Sequence, residues 1–254
     1  MPSAARPTGA SSRHVIRCST RVRSCGTADR RGGGAGAAPP LVIDFCHPGS
    51  PGKLTGVVTG RRQLQAFIAA ALRSPATVGA VAPSSTRLAQ RLTAVVPGGG
   101  NPVVVELGPG TGSTTAAVQR RLGGRGRHLA VELDTMLAEH VARAHPSVEV
   151  VVGDAAQLTQ LLARHGVSEV DAVLSGLPWS LFRPDEQRAI LAAAAAVLRP
   201  EGAFCTFAYV HALPLGGARR FRALLDEVFD EVLTTRTVWR NLPPAVSYVC
   251  RRPR

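Results

Sequence analysis

The sequence predicts an α/β domain, a doubly wound and mostly parallel sheet with helices on both faces and an antiparallel pair at one side. Three observations predict it. Past Pro97-Gly98-Gly99-Gly100, short apolar runs alternate with stretches of helical spacing, the pattern of strands joined by crossover helices. The first run, Val103-Val104-Val105, enters a glycine-rich turn, and sheets of this kind open their ligand sites at the carboxyl ends of the strands. The last two runs have no helix between them and are joined by Arg240-Asn241-Leu242-Pro243-Pro244-Ala245, which suits an antiparallel pair.

Taken in order, residues 1–56 show no sustained period of 2 or 3.6 and are broken by Gly32-Gly33-Gly34, Pro39-Pro40 and Pro48-Gly49-Ser50-Pro51-Gly52, so a disordered basic extension is expected. Residues 57–75 are expected to hold an amphipathic helix: Leu64, Phe67, Ile68, Ala71 and Leu72 recur at helical spacing, flanked by Arg61, Arg62 and Arg73, until Ser74-Pro75 ends it. That stripe suits either packing on the following domain or a place in a membrane interface, with residues 61–73 in peripheral contact and arginines on lipid phosphates. The domain proper is expected over residues 76–254. Ser85 or Thr86 caps a helix carrying Leu88, Leu92 and Val95. Strands are expected at residues 103–107, 128–132, 148–152, 172–175, 203–209, 231–239 and 246–251, with helices between the first five.

Composition narrows the class. The 254 residues, 45% hydrophobic, suffice for one sizeable core. No stretch approaches a bilayer-spanning apolar run, and the N-terminus lacks a continuous apolar signal segment, so a cytoplasmic location is expected. The five cysteines, Cys18, Cys25, Cys46, Cys205 and Cys250, lack CxxC spacing and are expected to be free thiols, with no metal site. The net charge of +13 is concentrated at one end. Residues 1–62 hold ten of the thirty Lys and Arg and two of the seventeen acids, which discounts the charge as a sign of a nucleic-acid partner for the domain.

The chemistry is carried by strand ends. Gly108, Gly110 and Gly112 form GxGxG, whereas dinucleotide folds want their third glycine where Ser113 stands. Glu106, just before the glycines, would set a carboxylate near the ammonium of a bound amino acid. Glu132 ends the second strand twenty residues past Gly112, where a carboxylate can accept both hydroxyls of an adenosine ribose. Asp154, followed by Ala155, ends the third strand, where it can accept from an adenine amino group. Together they describe a site for an amino acid attached to a nucleoside.

With ELGPGTG, VELD and GDA as successive motifs, residues 76–252 resemble the class I S-adenosylmethionine-dependent methyltransferases. The resemblance implies a seven-stranded Rossmann-like sheet with a reversed last strand, and S-adenosylmethionine as methyl donor held by Glu106, Gly108, Gly110, Gly112, Glu132, Asp154, Ala155 and Ser175. The fourth strand runs into Ser175-Gly176-Leu177-Pro178-Trp179, the segment that faces the donor methyl in this family. In rRNA adenine dimethyltransferases the similar segment is Asn-Leu-Pro-Tyr, whose Asn holds the target amino group and whose aromatic stacks on the base. Gly176 stands at the Asn position, which counts against a flipped base, although Trp179 keeps a stacking ring. The segment 77–85, SGLP and the Arg240–Ala245 stretch look most like bacterial phospholipid N-methyltransferases, which implies an amine acceptor on a lipid head group, phosphatidylethanolamine. An rRNA adenine or a small-molecule amine is the alternative.

Direct methyl transfer to an amine asks mainly for alignment and for a neutral nitrogen. Tyr209 and His211, just past the fifth strand, are candidate acceptors for an amine proton, and Trp179 is the third candidate catalytic residue. Each also suits a bland role: strand-end aromatic, solvated loop histidine, core ring. Arg219, Arg220 and Arg222 suit a lipid phosphate or an exposed helix face.

Overall fold

The computed structural model describes residues 85–254; the expected basic extension, the amphipathic helix and the segment up to residue 84 lie outside the described residues. The described chain opens with α1 (Thr86–Leu92), capped by Ser85, whose Oγ accepts from the Leu88 amide at 3.3 Å. Leu88, Ala89 and Leu92 are its buried face. Then strands and helices alternate: β1 (Val103–Leu107), α2 (Ser113–Leu122), β2 (Arg127–Glu132), α3 (Thr135–Ala144), β3 (Glu149–Val152), α4 (Leu158–Arg164), β4 (Val170–Ser175), α5 (Pro184–Ala196), β5 (Leu198–Tyr209), α6 (Gly216–Val228), β6 (Phe229–Thr234) and β7 (Ala245–Pro253).

One seven-stranded sheet results, in the order β3-β2-β1-β4-β5-β7-β6. The pairs from β3 through β5 are parallel, and β7 lies antiparallel between β5 and β6. Strand order therefore reverses at β1, whose neighbours are β2 and β4, and the crevice for a ligand opens at their carboxyl ends. Period-2 alternation sends side chains to two cores. Val105, Leu129, Val173 and Phe204 meet Leu158, Leu191, Phe221 and Leu225 on one face, while Val104, Ala172, Leu174 and Cys205 meet Leu88, Leu92, Val118 and Leu122 on the other.

Two strands differ from expectation. β5 begins at Leu198, pairing with Val170 before an irregularity in the register, rather than at residue 203. β6 stops at Thr234 rather than reaching Trp239. Thr235 explains the stop: its hydroxyl accepts from the Ser247 amide at 3.1 Å, taking the place of a backbone carbonyl, and the chain leaves the ladder. Only Val238 returns, bridging to Ala245. Among the described residues no helix is long and apolar enough to cross a membrane, and no cluster of His, Cys, Asp or Glu could hold a metal ion. Cys205 and Cys250 are free and buried.

Candidate active site

Because β1 to β5 run parallel, the glycine turn, Glu132, Asp154, Ser175 and Tyr209 all reach the same edge of the sheet. Backbone hydrogen bonds lace that edge together: Gly108 N–H to Val131 O at 2.9 Å, Gly153 N–H to Glu132 O at 2.9 Å, and Gly176 N–H to Leu107 O at 2.8 Å. Gly108, Gly110 and Gly112 all have positive φ, a region open to glycine at little cost. The turn thus brings bare backbone to the mouth of the crevice, and Gly112 is the N-cap of α2.

Glu132 is built as a hinge for this turn. Its Oε2 accepts from the Gly110 amide at 3.2 Å, while Oε1 accepts from Leu133 and Asp134 amides at 2.9 and 3.1 Å. Two carboxylate oxygens offer about four lone-pair sites, so capacity remains for a ligand hydroxyl. Burial pushes the Glu132 carboxyl above its ordinary range, opposed by those three backbone donors. Asp154 Oδ1 accepts from the Ala156 amide at 2.9 Å and caps a short 3-10 turn, Ala155–Gln157, with Ala155 buried at its start.

Glu106, expected near the ammonium of the donor, is only 1% exposed. It faces inward: Thr115 of α2 donates its hydroxyl to Oε2 at 2.8 Å, and His128 Nε2 stands 3.3 Å from the same oxygen, outside hydrogen-bond alignment. Behind it Gln119 meets His128 Nδ1 at 3.0 Å, and Ser147 donates to Gln119 at 2.7 Å. This file of side chains holds the Glu106 side chain in place. None of Thr115, Gln119 and His128 was among the sequence candidates. A signal was there: 128, 130 and 132 share one face of β2, so the polar His128 points the same way as Glu132.

The segment after β4 departs furthest from expectation. Trp179 is 3% exposed and its indole lies against Phe221, 4.2 Å between centroids and 12° from parallel, with Phe182 and Phe204 edge-on. Its N–H donates to Ser175 Oγ and Thr206 Oγ1, both at 3.1 Å. A ring so enclosed presents no free face to a substrate, which corrects the part given to Trp179. Ser175 is buried with it, and its Oγ also accepts from the Leu177 amide at 3.3 Å, which fixes the segment at the strand end. Gly176 has a packing reason, since a Cβ there would stand 2.7 Å from the Gly108 carbonyl oxygen. The strand end can approach the glycine turn because this residue is bare.

Tyr209 packs on the opposite face from Trp179, so the two do not converge. Its ring meets Phe207 edge-on at 5.4 Å and lies near-parallel to the exposed His211 at 5.7 Å. The hydroxyl is buried and has no hydrogen-bond partner, and burial pushes its pKa up, so it stays protonated near neutrality. Arg222 is not a free phosphate ligand: it pairs with Asp226 and lies over the Tyr248 ring.

One further residue went unrecognised as structural. Asn241 is 1% exposed, its Oδ1 accepts from the Ser85 amide at 2.8 Å and its Nδ2 donates to Pro243 O at 2.6 Å. It clamps the β6–β7 loop to the start of α1. Pro244 O in turn accepts from the Val210 amide at 2.9 Å, beside Tyr209.

The residues fit an adenosyl amino acid: a bare backbone turn, an acid with spare acceptor capacity at the second strand end, and a third acid beyond it. Comparison with known proteins agrees. A family described as a methyltransferase domain matches residues 104–202. An ornithine lipid N-methyltransferase from Singulisphaera acidiphila is 34% identical over 189 residues, 73% of this chain and 94% of that protein. A ribosomal RNA small subunit methyltransferase A from a Burkholderia species is 37% identical over 83 residues, 32% of this chain and 30% of that protein. Among solved structures, a TehB-like SAM-dependent methyltransferase from Corynebacterium glutamicum superposes with a TM-score of 0.51 at 15% identity, covering 74% of this chain and 97% of that one, a likeness of fold.

Proposed function

Since the chain belongs to the class I S-adenosylmethionine-dependent methyltransferases, we propose that it methylates the amine of a lipid head group, phosphatidylethanolamine or an ornithine lipid. The observation that carries this is the reach of the lipid relative, 94% of whose length aligns, against 30% for the RNA relative. The site agrees: Gly176 offers no side-chain amide to a target base, and Trp179 offers no open ring to stack on it.

When bound, S-adenosylmethionine supplies a methyl group made electrophilic by a positive sulfur. Glu132 would accept from the ribose, Asp154 with Ala155 would border the adenine, and the turn at Gly108, Gly110 and Gly112 would hold the amino-acid end, with Glu106 behind it. What remains for the chain is to hold a neutral amine in line. An amine of pKa about 10 costs about 4 kcal/mol to present neutral at pH 7, while alignment contributes roughly 7–11 kcal/mol. Tyr209, whose unpartnered hydroxyl is buried until the acceptor uncovers it, accepts an N–H of the incoming amine at its oxygen and so orients the nitrogen lone pair toward the crevice. His211, beside it and exposed, is placed to pass the released proton to water.

The test offers methyl-labelled S-adenosylmethionine with vesicles containing phosphatidylethanolamine or ornithine lipid, and separately with rRNA or small amines. Label in lipid is expected. Label in RNA with none in either lipid would overturn the reading.

A further inference from the structure

Between α1 and the β6–β7 loop lies an open cleft of about 650 Å³, lined by Arg87, Arg91, Trp239 and Arg240. Arg87 and Arg91 stand one helical turn apart, and all three arginines are exposed. Arg120 lines an adjoining hollow that shares Gln90 and Ala94 with the cleft. None of the four has a carboxylate within ion-pair distance among the described residues, and residues 85–102, 113–126 and 235–244 contain no Asp or Glu at all. Seven arginines elsewhere are paired with acids, Arg127 with Glu149 and Arg199 with Asp171 among them. Among the described residues the charge of this flank is therefore uncompensated.

Apolar groups stand among the charges. Trp239 is 74% exposed and Leu242, three residues on, 78%. An indole with its polar N–H is at home between head groups and acyl chains, and arginines are drawn to the phosphates of an anionic leaflet. A bare leucine has no partner on a phosphate backbone, which favours a membrane over RNA for this face. Position agrees. β6 runs in the same direction as β5, since both are antiparallel to β7, so residues 235–244 lie at the carboxyl end of the sheet with the glycine turn. Val238 bridges to Ala245, the register partner of Tyr209.

We propose that this face docks the protein on an anionic membrane surface, with Trp239 and Leu242 entering the head-group layer and Arg87, Arg91, Arg120 and Arg240 taking lipid phosphates. Docked so, the mouth of the crevice meets the head groups. The contact is separate from residues 61–73 and does not depend on which amine is methylated.

The chain has two tryptophans, and Trp179 is enclosed, so a change in emission on binding reports Trp239. The full chain is mixed with vesicles of phosphatidylcholine and phosphatidylglycerol, which carry no primary amine and so leave the acceptor question aside. A blue shift, quenching by brominated acyl chains and loss of both in Trp239→Phe are expected. The triple variant Arg87→Gln, Arg91→Gln, Arg240→Gln should partition about a hundredfold more weakly with S-adenosylmethionine binding unchanged by calorimetry. Should that variant not fold, the wild-type emission decides by itself. Sedimentation with vesicles while Trp239 emission stays unchanged would overturn the proposal, as would a shift produced by RNA oligonucleotides and not by vesicles.

Discussion

The carboxyl edge of the sheet has two halves that are built differently. From β1 to β3, polar groups are mostly tied to neighbours: Glu132 holds three amides, Asp154 caps a turn, and Glu106 sits in a file of side chains, in which His128 Nε2 alone lacks a hydrogen bond. From β5 to the β6–β7 loop, the Tyr209 and Ser247 hydroxyls are buried without partners, arginines lack counter-charges, and an indole and a leucine face solvent. A buried polar atom without a partner costs about 1–3 kcal/mol. The contrast teaches that the first half is finished by the chain itself, while the second leaves interactions for something that arrives.

Four changes break or sharpen that contrast. The largest effect is expected from Trp179→Ala, which removes a ring packed against three phenylalanines. Stability should fall by about 3–5 kcal/mol, read by denaturant unfolding. If the variant kept its stability and lost only transfer to the acceptor, the ring would belong to the second half after all. Glu132→Ala should weaken donor binding by roughly two orders of magnitude in calorimetry, because it loses ribose acceptors worth about 1.5–3 kcal/mol each and frees Gly110. A loss below tenfold would mean the acid only braces the turn.

Tyr209→Phe should slow transfer to the acceptor by about tenfold, the worth of one hydrogen bond, with donor affinity unchanged. A fall in donor affinity of the same size would merge the two halves. The smallest effect is in pH. The folded pKa of Glu132 is raised by burial, so the ionised form is disfavoured in the fold. Its share of stability is present at low pH and is lost as pH rises from the ordinary glutamate value to the raised one. Ribose acceptance needs the ionised form, so donor affinity should weaken as pH falls through the raised value, before ordinary carboxylates titrate. Affinity constant down to the ordinary glutamate range, with Glu132→Gln showing the same profile, would remove this carboxylate from the donor contact.

The same division decides what could be read from the sequence. GxGxG, Glu132 and Asp154 are each fixed by a strand end and its own turn, so spacing alone located them. The place of Trp179 depends on α6, forty residues on, laying Phe221 over the indole. Asn241 meets Ser85 across 156 positions, and no local period reports such a contact. The early end of β6 turned on one hydroxyl, that of Thr235, inside a run whose β-branched residues read as strand. The uncompensated flank was hidden by the total charge, since its arginines are brought together from α1, α2 and the β6–β7 loop.

The insertion of β7 between β5 and β6 bears on the order of assembly. All five parallel strands are complete by Tyr209, whereas β6 has no hydrogen-bonded neighbour other than β7. During synthesis the donor half can close while β6 waits, and the Val238–Ala245 bridge that ties the loop carrying Trp239 to the sheet forms only once the last nine-residue strand is made. A chain halted at Pro244 should therefore expose β6 to limited proteolysis while residues 103–209 stay protected.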